Sequence, residues 1–383
     1  MTQRHLGWAL GGMGMAMVVA CRGSDPISSP EKEPAVVAGA SSAAEPERSV
    51  ATRSDPSPSS TPPREPPPEP PAPAPPPTLP DGTPILPCVE PSVVGMACIP
   101  GGAFLRGTDA SEPANARPQA TVWLQTFYMD IDEVTVEQYE RCKKDPDRSR
   151  RCPRKSGPQY LDFDHPRMPI NGPSWYDARR YCQLQGKDLP TDAQWEKAAR
   201  GTEGALHSWG DEPATCERAI INEPPLGRGC GQKKEKGSKP KTGRPWDVGS
   251  RPAGVYGLHD MMGNAYEWVL DWYSPSYAEC GADCEGQDPR GPCKGVEPCE
   301  GHYMRIVRGG SWYWDASRAN AVYRRPHFPS NEPFHHFGFR CAASVEQAQA
   351  LRSAGAGEGE NQAGEGKVGA RVEPGVGGEG EAG

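Results

Sequence analysis

Tyr256-Gly257-Leu258-His259-Asp260-Met261-Met262-Gly263-Asn264-Ala265-Tyr266-Glu267-Trp268, followed by Arg308-Gly309-Gly310-Ser311-Trp312 and Gly338-Phe339-Arg340, is the stretch on which the reading of the fold turns. It lies in a middle region of about 250 residues that holds nearly all the Trp, Tyr and Phe and is long enough to bury a core of its own. The ends are different: the 45 Gly and 45 Pro of the 383 residues concentrate there, which excludes a chain that is globular throughout. A formal charge of -8 argues against a nucleic-acid binder, which needs a basic face.

Working outward to the amino terminus, Arg4 and His5 precede an apolar run from Gly7 to Ala20, too short to span a bilayer, which reads as a secretory signal. Its end, Val18-Val19-Ala20-Cys21, resembles a bacterial lipobox, so residues 1–21 are expected to be a lipoprotein signal with Cys21 as the lipidated residue. The expected partner of that end is a membrane, reached through a lipid anchor. Arg22 after the cysteine favours the outer membrane. Residues 22–87, rich in Pro, Ser, Ala and Glu, read as a disordered polyproline tether, 88–345 as the folded domain, and 346–383 as a disordered Gly/Glu tail. Removing Cys21 from 13 cysteines leaves an even number, as expected for disulfides in an exported protein. Spacing suggests Cys142 with Cys152 and Cys216 with Cys230.

Inside the domain, Cys98 to Phe104 and Ala120 to Ile131 carry strand patterns, the first broken at Gly101-Gly102. Thr135 with Gln138, Ser174 with Asp177 and Thr191 with Gln194 are capping pairs, so helices are expected over 136–144, 175–185 and 192–200. Gly186 and Gly201 stand where the second and third end.

In order along the chain, Asp132-Glu133-Val134-Thr135, Ser174-Trp175-Tyr176-Asp177-Ala178, Asp188-Leu189-Pro190-Thr191-Asp192-Ala193-Gln194-Trp195-Glu196 and the motifs quoted first resemble the formylglycine-generating enzyme (sulfatase-modifying factor) family across nearly the whole folded region. The resemblance implies a compact, loop-rich α+β fold related to C-type lectin-like domains. It also implies an activity, the oxygen-dependent conversion of a sulfatase cysteine to formylglycine by two copper(I)-binding cysteines. At the matching positions stand Trp314 and Ala319, neither able to ligate a soft metal, so copper and formylglycine generation are not expected. The family's structural disulfide falls on Cys182 and Cys341, and a second falls on Ala199 and Arg324 and is missing. Calcium is the cofactor that the resemblance leaves open, through Asn264 and Glu267, whereas a second family site near Asn222 meets Gly249 where an Asp is required.

Other clusters are weighed by compartment and geometry. Cys280, Cys284, Cys293 and Cys299 suit tetrahedral zinc, but an oxidising compartment favours two disulfides. His327, His335 and His336 with Glu332 offer a metal cluster, although adjacent histidines in extended chain face opposite ways. Ser311, Trp312, Trp314, Arg318 and Arg324, with Tyr313 and Arg325 beside them, are the residues expected to line a groove. The leading expectation is a non-catalytic, tethered module binding a peptide, glycan or protein. The alternatives are an oxidoreductase-type enzyme using a different metal site, or an accessory subunit of an active paralogue. Iron or copper in the purified domain would favour the enzyme, and calcium alone the binder.

Overall fold

A computed structural model describes residues 77–90, 92–154, 163–223, 228–230, 243–330 and 335–354. Cys21, most of the Pro-rich stretch, Glu332 and most of the insertion from 225 to 244 lie outside these residues.

The helices form where the capping chemistry places them. Helices α1 (Val136–Lys143), α2 (Trp175–Leu184) and α3 (Asp192–Arg200) each begin with a reciprocal capping box, on Thr135/Gln138, Ser174/Asp177 and Thr191/Gln194. Gly186 has φ +72° as expected after α2, while Gly201 closes α3 at φ +75° and ψ -152°, outside the left-handed helical well but still open only to glycine.

Strand β1 (Met96–Ile99) and strand β2 (Gly102–Arg106) are separated at the glycine pair. The single pattern over Ala120 to Ile131 divides into β3 (Ala120–Leu124) and β4 (Phe127–Asp130). The break has a cause. Gln125 donates to the Pro84 carbonyl at 2.8 Å and accepts from the Leu86 N–H at 3.1 Å, holding the preceding segment against the domain.

The folded body is therefore wider than the 88–345 expected. Residues 77–87 form a turn with Leu79 buried and the Ile85 side chain set against Gly101. At the other end residues 345–354 are helical, and Val345, Ala348 and Leu351 pack with Val93, Met96 and Tyr128. The helix starts on the capping pair Ser344/Gln347. The Gly/Glu composition begins only after it.

After a short antiparallel ladder of β5 (Asn222–Glu223) with β6 (Arg228–Gly229), the centre is β7 (Tyr266–Trp272), buried along its whole length. It pairs antiparallel with β8 (Arg305–Arg308), and β9 (Arg325–His327) and β10 (Phe337–Gly338) flank them in the order β10-β7-β8-β9. Side chains alternate on a strand. Tyr266, Trp268 and Leu270 join Trp175, Phe337 and Phe339 in one core, whereas Glu267, Val269 and Asp271 face α3. A second sheet orders β1, β4 and β11 (Ala342–Ser344).

Six disulfides close the fold: Cys88–Cys98, Cys142–Cys152, Cys182–Cys341, Cys216–Cys230, Cys280–Cys284 and Cys293–Cys299. The quartet is thus two disulfides.

Candidate functional site

Helix α3 presents Asp192, Glu196 and Arg200 to the interior. Arg308 on β8 bridges the two acids, 2.6 Å from Asp192 Oδ1 and 2.6 Å from Glu196 Oε2, while Arg324 reaches Asp192 Oδ2 at 3.0 Å. The Tyr277 hydroxyl lies 3.0 Å from Asp192 Oδ2 and 3.2 Å from Glu196 Oε2, and the Arg106 guanidinium stacks on the Tyr277 ring. Burial alone would raise the Asp192 pKa, but Arg308 and Arg324 outweigh it and hold the carboxyl below its usual range. Asp271, which accepts the Asp192 N–H, is pushed up to about 7, first by burial and then by the Asp192 charge. Every member of this hub is buried, and its ion pairs serve the fold.

The Asn264 loop is pressed into the same interior. Gly263 has φ +83°, and a Cβ there would stand 2.6 Å from the Ile220 carbonyl oxygen, so only glycine fits. The Gly263 N–H donates to Gly309 and the Trp312 N–H to Asn264, so the two motifs are joined through their backbones. Asn264 accepts the Trp246 N–H and donates to Glu133, and Glu267 takes two bonds from Arg340 and one from the Trp195 indole.

Glu133, Asp260 and Glu267 thus surround one guanidinium. Burial, then Asp260 and Glu267, push the Glu133 pKa well up, and burial takes Asp260 to about 6. Asp260 Oδ1 is buried without a hydrogen-bond partner. Among the described residues no three His, Cys, Asp or Glu converge as a ready-made metal site. Arg340 already supplies the positive charge among these carboxyls, so a hard cation would be held by Asn264 and Glu267 only through the lone pairs left on their oxygens.

The Gly-Gly-Ser segment leads to the positions of the missing cysteines. Ala319 is fully buried against Gly310, where a Cβ would stand 2.8 Å from the Ala319 Cα. Trp314 is half-buried, its ring 5.4 Å from Tyr313 and 5.1 Å from the Arg325 guanidinium, which also lies over Tyr266 and Phe337. Tyr313 stacks on His336 at 5.3 Å, and Arg318 lies 4.6 Å over Tyr323. Burial, then Arg325, depress His336 to about 2, which keeps the imidazole neutral.

The expected groove must be redrawn. Ser311 and Trp312 are buried, Trp312 against Phe163 and His335, because the glycine turn drives them inward. Arg324 is 1 % exposed and committed to Asp192. Trp314 and Arg318 remain at the surface, joined by Tyr313, Tyr323, Arg325 and His335. Tyr323 was not expected; its only signal is the Tyr-Arg-Arg run that it opens.

The profile of the sulfatase-modifying factor enzyme 1-like domain matches residues 86–345. The chain belongs to that family. The sulfatase-modifying factor domain here is 32 % identical over 275 residues to "Serine/threonine-protein kinase pkn1" of Chlamydia pneumoniae, covering 68 % of this chain and 39 % of the relative. The chain therefore spans about two fifths of that relative's length. It is 35 % identical over 191 residues to the "Formylglycine-generating enzyme" of Thermomonospora curvata, covering 49 % of this chain and 59 % of the enzyme. It is 28 % identical over 297 residues to "Inactive C-alpha-formylglycine-generating enzyme 2" of Mus musculus, covering 65 % and 86 %. In this sulfatase-modifying factor domain all twelve cysteines after Cys21 are paired in disulfides, so no described thiol stands near Trp314 or Ala319.

Proposed function

We propose that this domain is a non-catalytic recognition module, exported and held on the outer membrane by lipid on Cys21. One observation carries the non-catalytic reading: an indole and a methyl occupy the two thiol positions, and the remaining cysteines of the domain are closed into disulfides. Copper(I) needs soft thiolates, and disulfide sulfur does not supply them. The relative named as inactive is compatible with a family scaffold kept without its chemistry. The test incubates the purified chain with copper, oxygen and a peptide bearing the sulfatase cysteine motif. The peptide is expected to keep its cysteine, and any aldehyde product overturns the reading.

The ligand surface of this proposal is Trp314, Arg318, Tyr323 and Arg325, where rings and guanidinium planes are half-exposed. Such a surface suits a peptide or glycan that stacks on aromatic faces and offers acceptors to arginine. Peptide and glycan arrays probed with the wild-type chain and with Trp314→Ala test it: binding lost in the variant supports it, and binding unchanged sinks it.

Anchoring is read out separately, by incorporation of labelled palmitate into the wild-type chain and its loss in Cys21→Ala. Calcium at Asn264 and Glu267 is part of the same proposal. It is expected to raise the melting temperature of the wild-type chain and to have no effect on Glu267→Gln.

A further inference from the structure

The loop after α1 gathers charge that neither buried cluster uses. From Arg141 to Arg154 stand seven Lys and Arg against Asp145 and Asp147, in a chain of net charge -8. The Cys142–Cys152 disulfide closes this loop with a Cα–Cα distance of 5.3 Å. Asp147 accepts the Ser149 N–H at 2.9 Å and caps a short 3-10 turn over Arg148–Arg150, and the Asp145 carboxylate accepts the Asp147 N–H. Arg180 on α2 donates to the Ser149 carbonyl at 2.9 Å, and the Tyr139 hydroxyl donates to Pro153. The backbone is thereby held at five points. Little ordering remains to be done on binding.

Arg141 and Lys143 are spent on Glu137 and Glu140. Arg148, Arg150, Arg151, Arg154 and Arg180 are exposed and have no ion pair among the described residues. Guanidinium forks match phosphate oxygens bidentately and are weakly hydrated, which suits them to phosphate recognition. The shape of the surroundings selects the partner. The clefts flanking the loop carry Glu137, Glu140, Asp145 and Asp164 against Arg141 and Lys144 on one side, and Asp130, Asp132 and Asp145 against Arg141, Arg150 and Lys187 on the other. An acidic peptide lying across the loop meets the excess of carboxylates in the first cleft, whereas a flat anionic surface meets only the basic crest.

We propose that the Arg148–Arg154 crest, with Arg180, is a docking surface for the phosphate headgroups of an anionic phospholipid bilayer. It is distinct from the Trp314 surface and independent of the lipid on Cys21. Attraction of this kind falls off within a Debye length, so it is cut by salt.

The experiment uses the full chain carrying Cys21→Ala, which cannot be lipidated, so its outcome is separate from that of palmitate labelling. Sedimentation with phosphatidylcholine vesicles containing phosphatidylglycerol, and with phosphatidylcholine alone, reads binding in low and high salt. Binding is expected only to the anionic vesicles, to be lost in high salt, and to weaken roughly a hundredfold in Arg148→Ser/Arg150→Ser/Arg151→Ser. The same charge removed at Arg117, Lys294 and Arg352 should leave it intact. The melting temperature of each variant establishes that it is folded. Equal binding to neutral vesicles, a folded triple variant that binds like its parent, or binding to soluble polyglutamate with none to vesicles each overturns the proposal. The last of these outcomes assigns the crest to an acidic peptide.

Discussion

Arg308 and Trp314 are six residues apart, yet they belong to two regions under opposite constraints. Arg308 is buried between Asp192 and Glu196 and closes a hub in which both carboxylates are ion-paired. Trp314 lies beyond the Gly309-Gly310 turn, half-exposed among Tyr313 and Arg325. Removing one member of the hub strands a desolvated charge, so the hub resists change. Position 314 has solvent on one side, and an indole can stand there in place of a thiol without disturbing the scaffold. The family's fold and the family's chemistry are thus held by separate residues.

The sharpest way to break this comparison is Glu196→Ala, which leaves Arg308 and Arg200 facing an uncharged methyl. It is expected to cost about 5 kcal/mol, the upper end for breaking a buried pair, as read by urea denaturation. A loss below about 1 kcal/mol would show the hub to be dispensable.

Changing pH separates the two regions by sign. Asp271 keeps its proton in the fold up to about 7, while in the unfolded chain it titrates near the ordinary aspartate value of 3.8. The hub therefore loses stability as pH rises from about 4 to about 7, on the order of 4 kcal/mol, and Asp271→Asn should remove that decline. His336 is depressed to about 2, so the unfolded chain gains the proton first and stability is lost as pH falls below the ordinary histidine value of 6.5. His336→Phe should remove that acid-side loss alone. Unfolding midpoints across this pH range in both variants check the two signs.

Opening the Cys280–Cys284 loop, next to Tyr277 beneath the hub, is expected to cost about 2 kcal/mol, because so short a loop restricts the unfolded chain little. Opening Cys182–Cys341, whose separation is 159 residues, should cost more than twice that in the same assay. Smallest is Trp314→Ala, expected to lower stability by about 1 kcal/mol while abolishing ligand binding. A larger loss would place Trp314 with the core.

Much of the scaffold was legible because its signals are local. Each capping box places its two partners three residues apart, and Cys142 with Cys152 and Cys216 with Cys230 close short loops, as their spacing suggests. The groove was less legible. Ser311, Trp312 and Arg324 look like surface recognition residues in composition, but a turn of two glycines and an ion pair to Asp192, 132 residues away, take them inside. The ends of the folded body are hidden in the sequence for a related reason: Leu79 and Leu351 are single apolar residues in polar stretches, and their packing depends on distant partners.

By itself, the amino-acid sequence determined the family, the capped helices, the cysteine parity and the absence of thiols at positions 314 and 319, because each is a matter of residue identity and short spacing. Only the tertiary structure decided which motif residues are core and which are surface. Burial and charge pairing arise when β7 sets Glu267 and Asp271 against α3, and long-range contacts of that kind leave no period in the chain.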